Sequence, residues 1–190
     1  MSRFFWVRHG PTHAKAMVGW SDLAADLSDE QRLSRLSAHL PADALVVSSD
    51  LVRATATADA IANDRERLPH DPDLREIHFG DWEMQVFDSI PDQAHLRRFW
   101  DQPGGVRPPG GESWHEVVTR VDRAVARLMA AHPGRDIIAV AHFGAILTQV
   151  QQALRVDAYA AFSHRIDNLS VTDIRWDGAR WQAGAINHIP

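Results

Sequence analysis

Three short apolar runs stand out along the chain: residues 4–7 (FFWV), 44–48 (ALVVS) and 136–141 (DIIAVA). Each is rich in β-branched or aromatic residues and is followed by a helix-compatible stretch, the pattern of buried parallel strands in an α/β domain. Between them lie helix signals. Ser28 and Gln31 stand at capping-box spacing ahead of a helix predicted over residues 29–40, and Ser113 and Glu116 do the same for residues 114–132, with Gly134 as the stop. Small and apolar positions recur at helical spacing through residues 51–63 (LVRATATADAIAN), which predicts a helix capped by Ser49 or Asp50 with Arg53 in its first turn.

Residues 68–111 break this rhythm. They carry Trp82, Phe87, Phe99 and Trp100 and end in PGGVRPPGG, a stretch unable to hold regular structure, so they read as an insertion covering one end of the sheet. Near the C-terminus, residues 169–176 and 179–186 flank Asp177-Gly178, the signature of a two-residue hairpin turn. No internal repeat or linker divides the 190 residues, which are expected to form one domain, 1–190.

Composition narrows the function classes. Hydrophobic residues make up 45% and charged residues 24%, as in soluble globular proteins. Twenty basic against 25 acidic residues give a net charge of −5, which argues against sequence-independent nucleic-acid binding. The absence of cysteine excludes a disulfide framework, a thiolate nucleophile and Cys-ligated zinc or iron–sulfur centres. The apolar run at residues 4–7 is too short for a signal-peptide core or a membrane span, so the expectation is a cytoplasmic protein without a membrane anchor.

Candidate chemistry gathers at the predicted strand ends. Arg8 and His9 follow the first strand, Arg53 follows the second by five residues, and His142 closes the third at the start of a helix, where free N–H groups and the dipole favour an anion. Any one of these is more often a structural His or a solvated Arg; together they suggest a phosphate pocket. Eleven histidines raise metal-dependent hydrolysis, yet no His-x-x-x-His or Asp-x-Asp pair falls on the strand ends and no Gly-Lys-Ser/Thr loop is present, so no metal and no cofactor is expected.

Arg8-His9-Gly10, Ser48-Ser49-Asp50-Leu51 with Arg53-Ala54 and Thr57-Ala58, Leu74-Arg75-Glu76 with Phe79-Gly80-Asp81-Trp82-Glu83, Gly110-Gly111-Glu112-Ser113, and Val140-Ala141-His142 occur in this order. Together they resemble the histidine phosphatase superfamily, also called phosphoglycerate mutase-like, over roughly residues 3 to 175. The resemblance implies a three-layer α/β/α sandwich with a mostly parallel central sheet. It also implies His9 as nucleophile, Glu76 as proton donor, and Arg8, Arg53 and His142 as the phosphate-binding set, with Thr12 and Phe143 as further substrate-binding positions. Residues 79–84 (FGDWEM) look most like the α-ribazole phosphatase branch, which removes the 5′-phosphate from a nucleotide precursor of cobalamin.

These roles agree with the chemistry. A doubly anionic phosphate monoester needs its equatorial oxygens neutralised and the attack aligned, which suits two guanidiniums and a second imidazole. An imidazole of ordinary pKa, about 6.5, is mostly unprotonated at neutral pH and can attack phosphorus. A carboxylic acid must protonate the departing alkoxide; Glu76 is the choice, with Glu83 and Glu112 behind it, although Glu112 better suits fixing a loop and a helix start. Thr12 fits a phosphate contact and a turn cap equally, and Trp82, Phe99, Trp100 and Trp114 fit core better than an aromatic wall. The chain departs from many relatives in having Pro11 after Gly10, Lys15 where Asn is frequent, and Met84 in place of Gly. A mutase is disfavoured by the short chain and a non-catalytic phospho-ligand sensor by the intact His9. The expected partner is a small-molecule phosphate ester, with no oligomeric state assigned.

Overall fold

The computed structural model describes residues 2–190. The apolar runs form the strands expected of them: β1 (Ser2–Arg8), β2 (Leu45–Ser48) and β3 (Asp136–Ala141). With β4 (Val171–Trp176) and β5 (Trp181–Ala183) they build one five-stranded sheet in the order β2-β3-β1-β4-β5. The β1–β3 and β2–β3 pairs are parallel, whereas β4 and β5 are added antiparallel on the β1 side.

Side chains alternate across β1 and so belong to two cores. Phe4 and Trp6 pack with the helices α4 (Trp114–Ala131) and α5 (Phe143–Leu154), and Phe5 and Val7 pack with α1 (Glu30–His39) and α2 (Val52–Ala62). The result is the α/β/α sandwich, with both sheet faces covered, which is why the central strands are almost uniformly apolar.

Local chemistry sets the helix ends, and here two expectations are corrected. The cap of α1 is Asp29, whose carboxylate accepts from Arg32 N at 2.9 Å, and not Ser28 with Gln31. Neither Ser49 nor Asp50 caps α2: Ser49 bonds His142, Asp50 forms an ion pair with Arg75, and the Val52 N–H is taken by Asp22 Oδ1, 2.7 Å away and thirty residues earlier. The Ser113/Glu116 capping box on α4 forms as expected, and Gly134 takes a positive φ just beyond the helix end.

The C-terminal hairpin has shorter strands than predicted and a longer turn, because Asp177 Oδ1 accepts from both Ala179 N and Arg180 N and thereby spreads the turn over four residues. Residues 68–111 contain three single 3₁₀ turns and the helix α3 (Gln93–Asp101). Within them Phe79, Trp82 and Phe99 are buried in the core shared with α4 and α5, as is Trp114. A short helix, α6 (Ala158–Phe162), lies against α5. No helix of the described residues is long and apolar enough to cross a membrane.

Candidate active site

Strand register brings the first groups together. Arg8 pairs with Ala141 and Ser48 with Val140, so the residues that follow, His9, Ser49 and His142, emerge in one row at the carboxyl edge of the parallel strands. The His9 and His142 rings lie 4.9 Å apart between centroids, and Arg53, from the first turn of α2, places its Nε 3.3 Å from His9 Nε2.

The tautomer of His9 follows from its partners. Its Nδ1 lies 2.6 Å from the Gly10 carbonyl, which can only accept, so Nδ1 carries the proton and Nε2 keeps its lone pair. Burial, with Arg53 and Arg8 adding to it, pushes the His9 pKa down to about 3, so the ring is neutral across the physiological range. Gly10 N donates to Thr57 Oγ1 at 2.9 Å and Asn168 Nδ2 donates to His9 O at 2.8 Å, fixing the backbone on both sides of the ring. A Cβ at position 10 would displace the end of the Leu27 side chain and press on Asp26 O and Ala25 Cβ, so the segment 25–27 packs closely against this glycine.

His142 is fully buried, and its Nε2 lies 2.6 Å from Ser49 Oγ. Among the described residues the Ser49 hydroxyl has no other partner, so donation to Nε2 satisfies it and leaves the proton on Nδ1, which meets no acceptor there. Burial, and then the neighbouring His9 and Arg53, hold this ring well below the usual histidine range.

Two guanidiniums complete the row. Arg53 is buried, with Nη1 donating to Ser21 O (2.8 Å) and Nη2 to Gly19 O (2.6 Å). Arg8 Nη1 donates to Ile166 O at 2.6 Å, its Nε is buried without a partner among the described residues, and its guanidinium sits 5.6 Å from the centre of the Phe143 ring.

Glu76 is also buried. Its Oε1 accepts from Ile77 N and Gly144 N, both at 2.9 Å, while Oε2 accepts no hydrogen bond among the described residues. A Cβ at position 144 would fall on Glu76 Oε1, so the glycine is what lets α5 approach the carboxyl. Burial raises the Glu76 pKa, against the opposing pull of the two N–H groups and of Arg8 and Arg53. One of the N–H groups at the start of α5, expected to be free for an anion, is therefore already occupied by Glu76.

A neutral nucleophilic nitrogen, a second imidazole, two guanidiniums and a carboxyl of raised pKa converge here on a buried cluster. Residues 4–189 match the profile of the histidine phosphatase superfamily (branch 1). The chain belongs to that superfamily.

Among its relatives, the bifunctional protein Rv2228c of Mycobacterium tuberculosis is 30% identical over 94% of this chain and 52% of its own length, so this chain spans about half of it. The adenosylcobalamin/α-ribazole phosphatase of Salmonella typhimurium is 30% identical over 87% of this chain and 86% of its own. The solved structure of Bacillus stearothermophilus YhfR superposes with a TM-score of 0.91 at 28% identity, covering 100% of this chain and 98% of that one.

The remaining candidates of this histidine phosphatase domain sort by their contacts. Glu83 accepts from Gly19 N, Trp20 N, Ser21 N, Ser21 Oγ and Phe79 N; burial alone would raise its pKa, but these bonds hold it below the usual range. It thus anchors the loop whose carbonyls hold Arg53 and is not a reserve acid. Glu112 pairs with Arg120 and accepts from His78 N, as expected of a loop anchor. Thr12 is half-buried and makes no side-chain hydrogen bond among the described residues, Lys15 is exposed, and Phe143 packs between Arg8 and Phe162. Ser49, Thr57 and Gly144 escape a reading of site residues from sequence, although the first two lie inside the motif around Arg53; they act through partners far along the chain.

Proposed function

We propose that this domain is a metal-independent phosphomonoesterase that works through a phosphohistidine at His9. The observation that carries the reading is the His9 ring itself: Nδ1–H is committed to Gly10 O, and the lone pair of Nε2, which accepts from Arg53 Nε at 3.3 Å, lies at the phosphate-binding guanidinium that a substrate would engage. Arg8, Arg53 and the Nδ1–H of His142 take the equatorial phosphate oxygens, with Thr12 and Phe143 as adjoining contacts. Their charge replaces the neutralisation that a cation gives in other phosphoryl-transfer sites.

In the first step His9 Nε2 attacks phosphorus, the ester P–O bond breaks, and Glu76 gives its proton to the departing alkoxide. In the second, the Glu76 carboxylate takes a proton from water, the hydroxide attacks phosphorus, the N–P bond breaks, and orthophosphate leaves with His9 neutral again. The raised pKa of Glu76 suits both duties, and a bound phosphate dianion pushes it further up.

The substrate placed first is α-ribazole 5′-phosphate, in keeping with the Salmonella relative. A run of rings leads from Arg8 through Phe143, Phe162 and Trp100 to the half-exposed Phe87, an apolar surface suited to a heterocyclic leaving group. Residues 68–111, which supply Glu76, Trp100 and Phe87, act in this reading as the cover of the site within a single domain of residues 1–190.

The test is phosphate release in excess EDTA from α-ribazole 5′-phosphate, 3-phosphoglycerate and an aryl phosphate, with His9→Ala alongside. Release from the ribazole ester well above the other two, and its loss in His9→Ala, is expected. Release from the aryl ester alone would keep the phosphatase and discard the substrate, and silence with all three would favour a mutase or a sensor.

A further inference from the structure

We propose that Arg120 is a positioning residue for phosphoryl transfer, holding the Glu76 carboxyl in register with the departing oxygen through the backbone of residues 73–76. The inference rests on the reading of Glu76 as the acid.

Arg120 lies on α4 and is buried. Its guanidinium has five N–H bonds, and all five are used. Nη1 donates to Asp73 O (2.9 Å) and Arg75 O (2.7 Å), Nη2 to Glu76 O (2.7 Å) and Glu112 Oε2 (2.9 Å), and Nε to Glu112 Oε1 (2.8 Å). Glu112 Oε2 also accepts from His78 N at 2.9 Å, so one ion pair grips the chain on both sides of Glu76.

This grip determines where the acid sits. Residues 74–79 form no strand or α-helix, so no ladder of backbone bonds fixes them. The Glu76 carbonyl is held by Arg120 and by Trp20 Nε1 at 2.8 Å, while among the described residues the carboxyl at the other end of the residue is held only through Oε1. Without the guanidinium, the Asp73 and Arg75 carbonyls lose their donor, the Glu76 carbonyl keeps only Trp20 Nε1, and the peptide bearing the acid is free to shift. Errors of about 1 Å are enough to impair proton delivery. A lysine, with three donors on one atom, cannot span the same five acceptor directions.

The test separates proton delivery from general damage. An alkyl phosphate releases a strongly basic alkoxide and needs the acid, whereas p-nitrophenyl phosphate releases a stable phenolate and needs it little. Values of kcat/KM are measured on both esters for wild type, Glu76→Gln, Arg120→Met, Arg120→Lys and Glu112→Gln. The last keeps the size of the side chain and sets an amide against the guanidinium, so it decides the matter if the Arg120 variants do not fold. Both Arg120 variants are expected to lose at least about tenfold more on the alkyl ester than on the aryl ester, following Glu76→Gln, with Glu112→Gln showing the same preference more weakly. A change in charge near His142 alone would slow both esters alike. If Glu76→Gln is selective and the folded Arg120 or Glu112 variants are not, the positioning role is wrong. If Glu76→Gln itself slows both esters equally, the assignment of the acid fails first.

Discussion

Replacing Ser49 with alanine isolates the bond that orients the second imidazole. Ser49 and His142 are both fully buried, and the Oγ–Nε2 distance is 2.6 Å. Removing the hydroxyl leaves both ring nitrogens without a partner among the described residues, because Nδ1 already has none there. A buried polar atom left unsatisfied costs about 1–3 kcal/mol, so the melting temperature should fall by roughly 2–12 °C for a chain of this size. The same bond selects the tautomer that presents Nδ1–H to a phosphate oxygen. Losing it should lower kcat/KM on an aryl phosphate by about five- to 160-fold, the same energy expressed as a rate. Differential scanning fluorimetry and initial-rate kinetics on the purified variant read the two effects. A Ser49→Ala protein within twofold of wild type in kcat/KM and within a degree in melting temperature would refute both the hydrogen bond and the orienting role.

Two further outcomes follow from the site. His9 has a pKa of about 3 in the folded chain against about 6.5 unfolded, so stability is full above pH 6.5 and falls as the unfolded state gains a proton that the native ring refuses. Urea unfolding at pH 5 should show about 2 kcal/mol less stability from this ring than at neutral pH, a loss that His9→Gln removes; equal pH sensitivity in the two proteins would contradict the depressed pKa. Glu83→Ala should raise KM for an aryl phosphate severalfold with a smaller change in kcat, because the Gly19 and Ser21 carbonyls that hold Arg53 lose their anchor. An unchanged KM would show that the loop holds Arg53 without Glu83.

What the sequence conveys depends on how local the cause is. The runs at residues 4–7, 44–48 and 136–141 locate the strands because burial on both faces of a parallel sheet demands unbroken apolar residues. The Ser113/Glu116 box is legible because both partners lie within one turn. The cap of α2 is not, since its acceptor is Asp22 in a distant loop, and Ser49 and Asp50 look like caps only until His142 and Arg75 claim them. The site shows the same division. Arg8, His9, Arg53 and His142 can be placed by their positions after strands, while Ser49, Thr57, Arg120 and Gly144 work through residues 44 to 93 positions away and carry no local signature.

The central claim is that phosphorus becomes covalently bound to His9 Nε2. The direct measurement is a rapid alkaline quench of the enzyme during turnover of an aryl phosphate in EDTA, followed by proteolysis and mass spectrometry of the peptide that contains His9. An acid-labile, alkali-stable phosphoryl group on His9, absent from His9→Ala and discharged when substrate is exhausted, is the predicted result. Turnover at an undiminished rate in His9→Ala, or a phosphoryl group carried by another residue, would contradict the account.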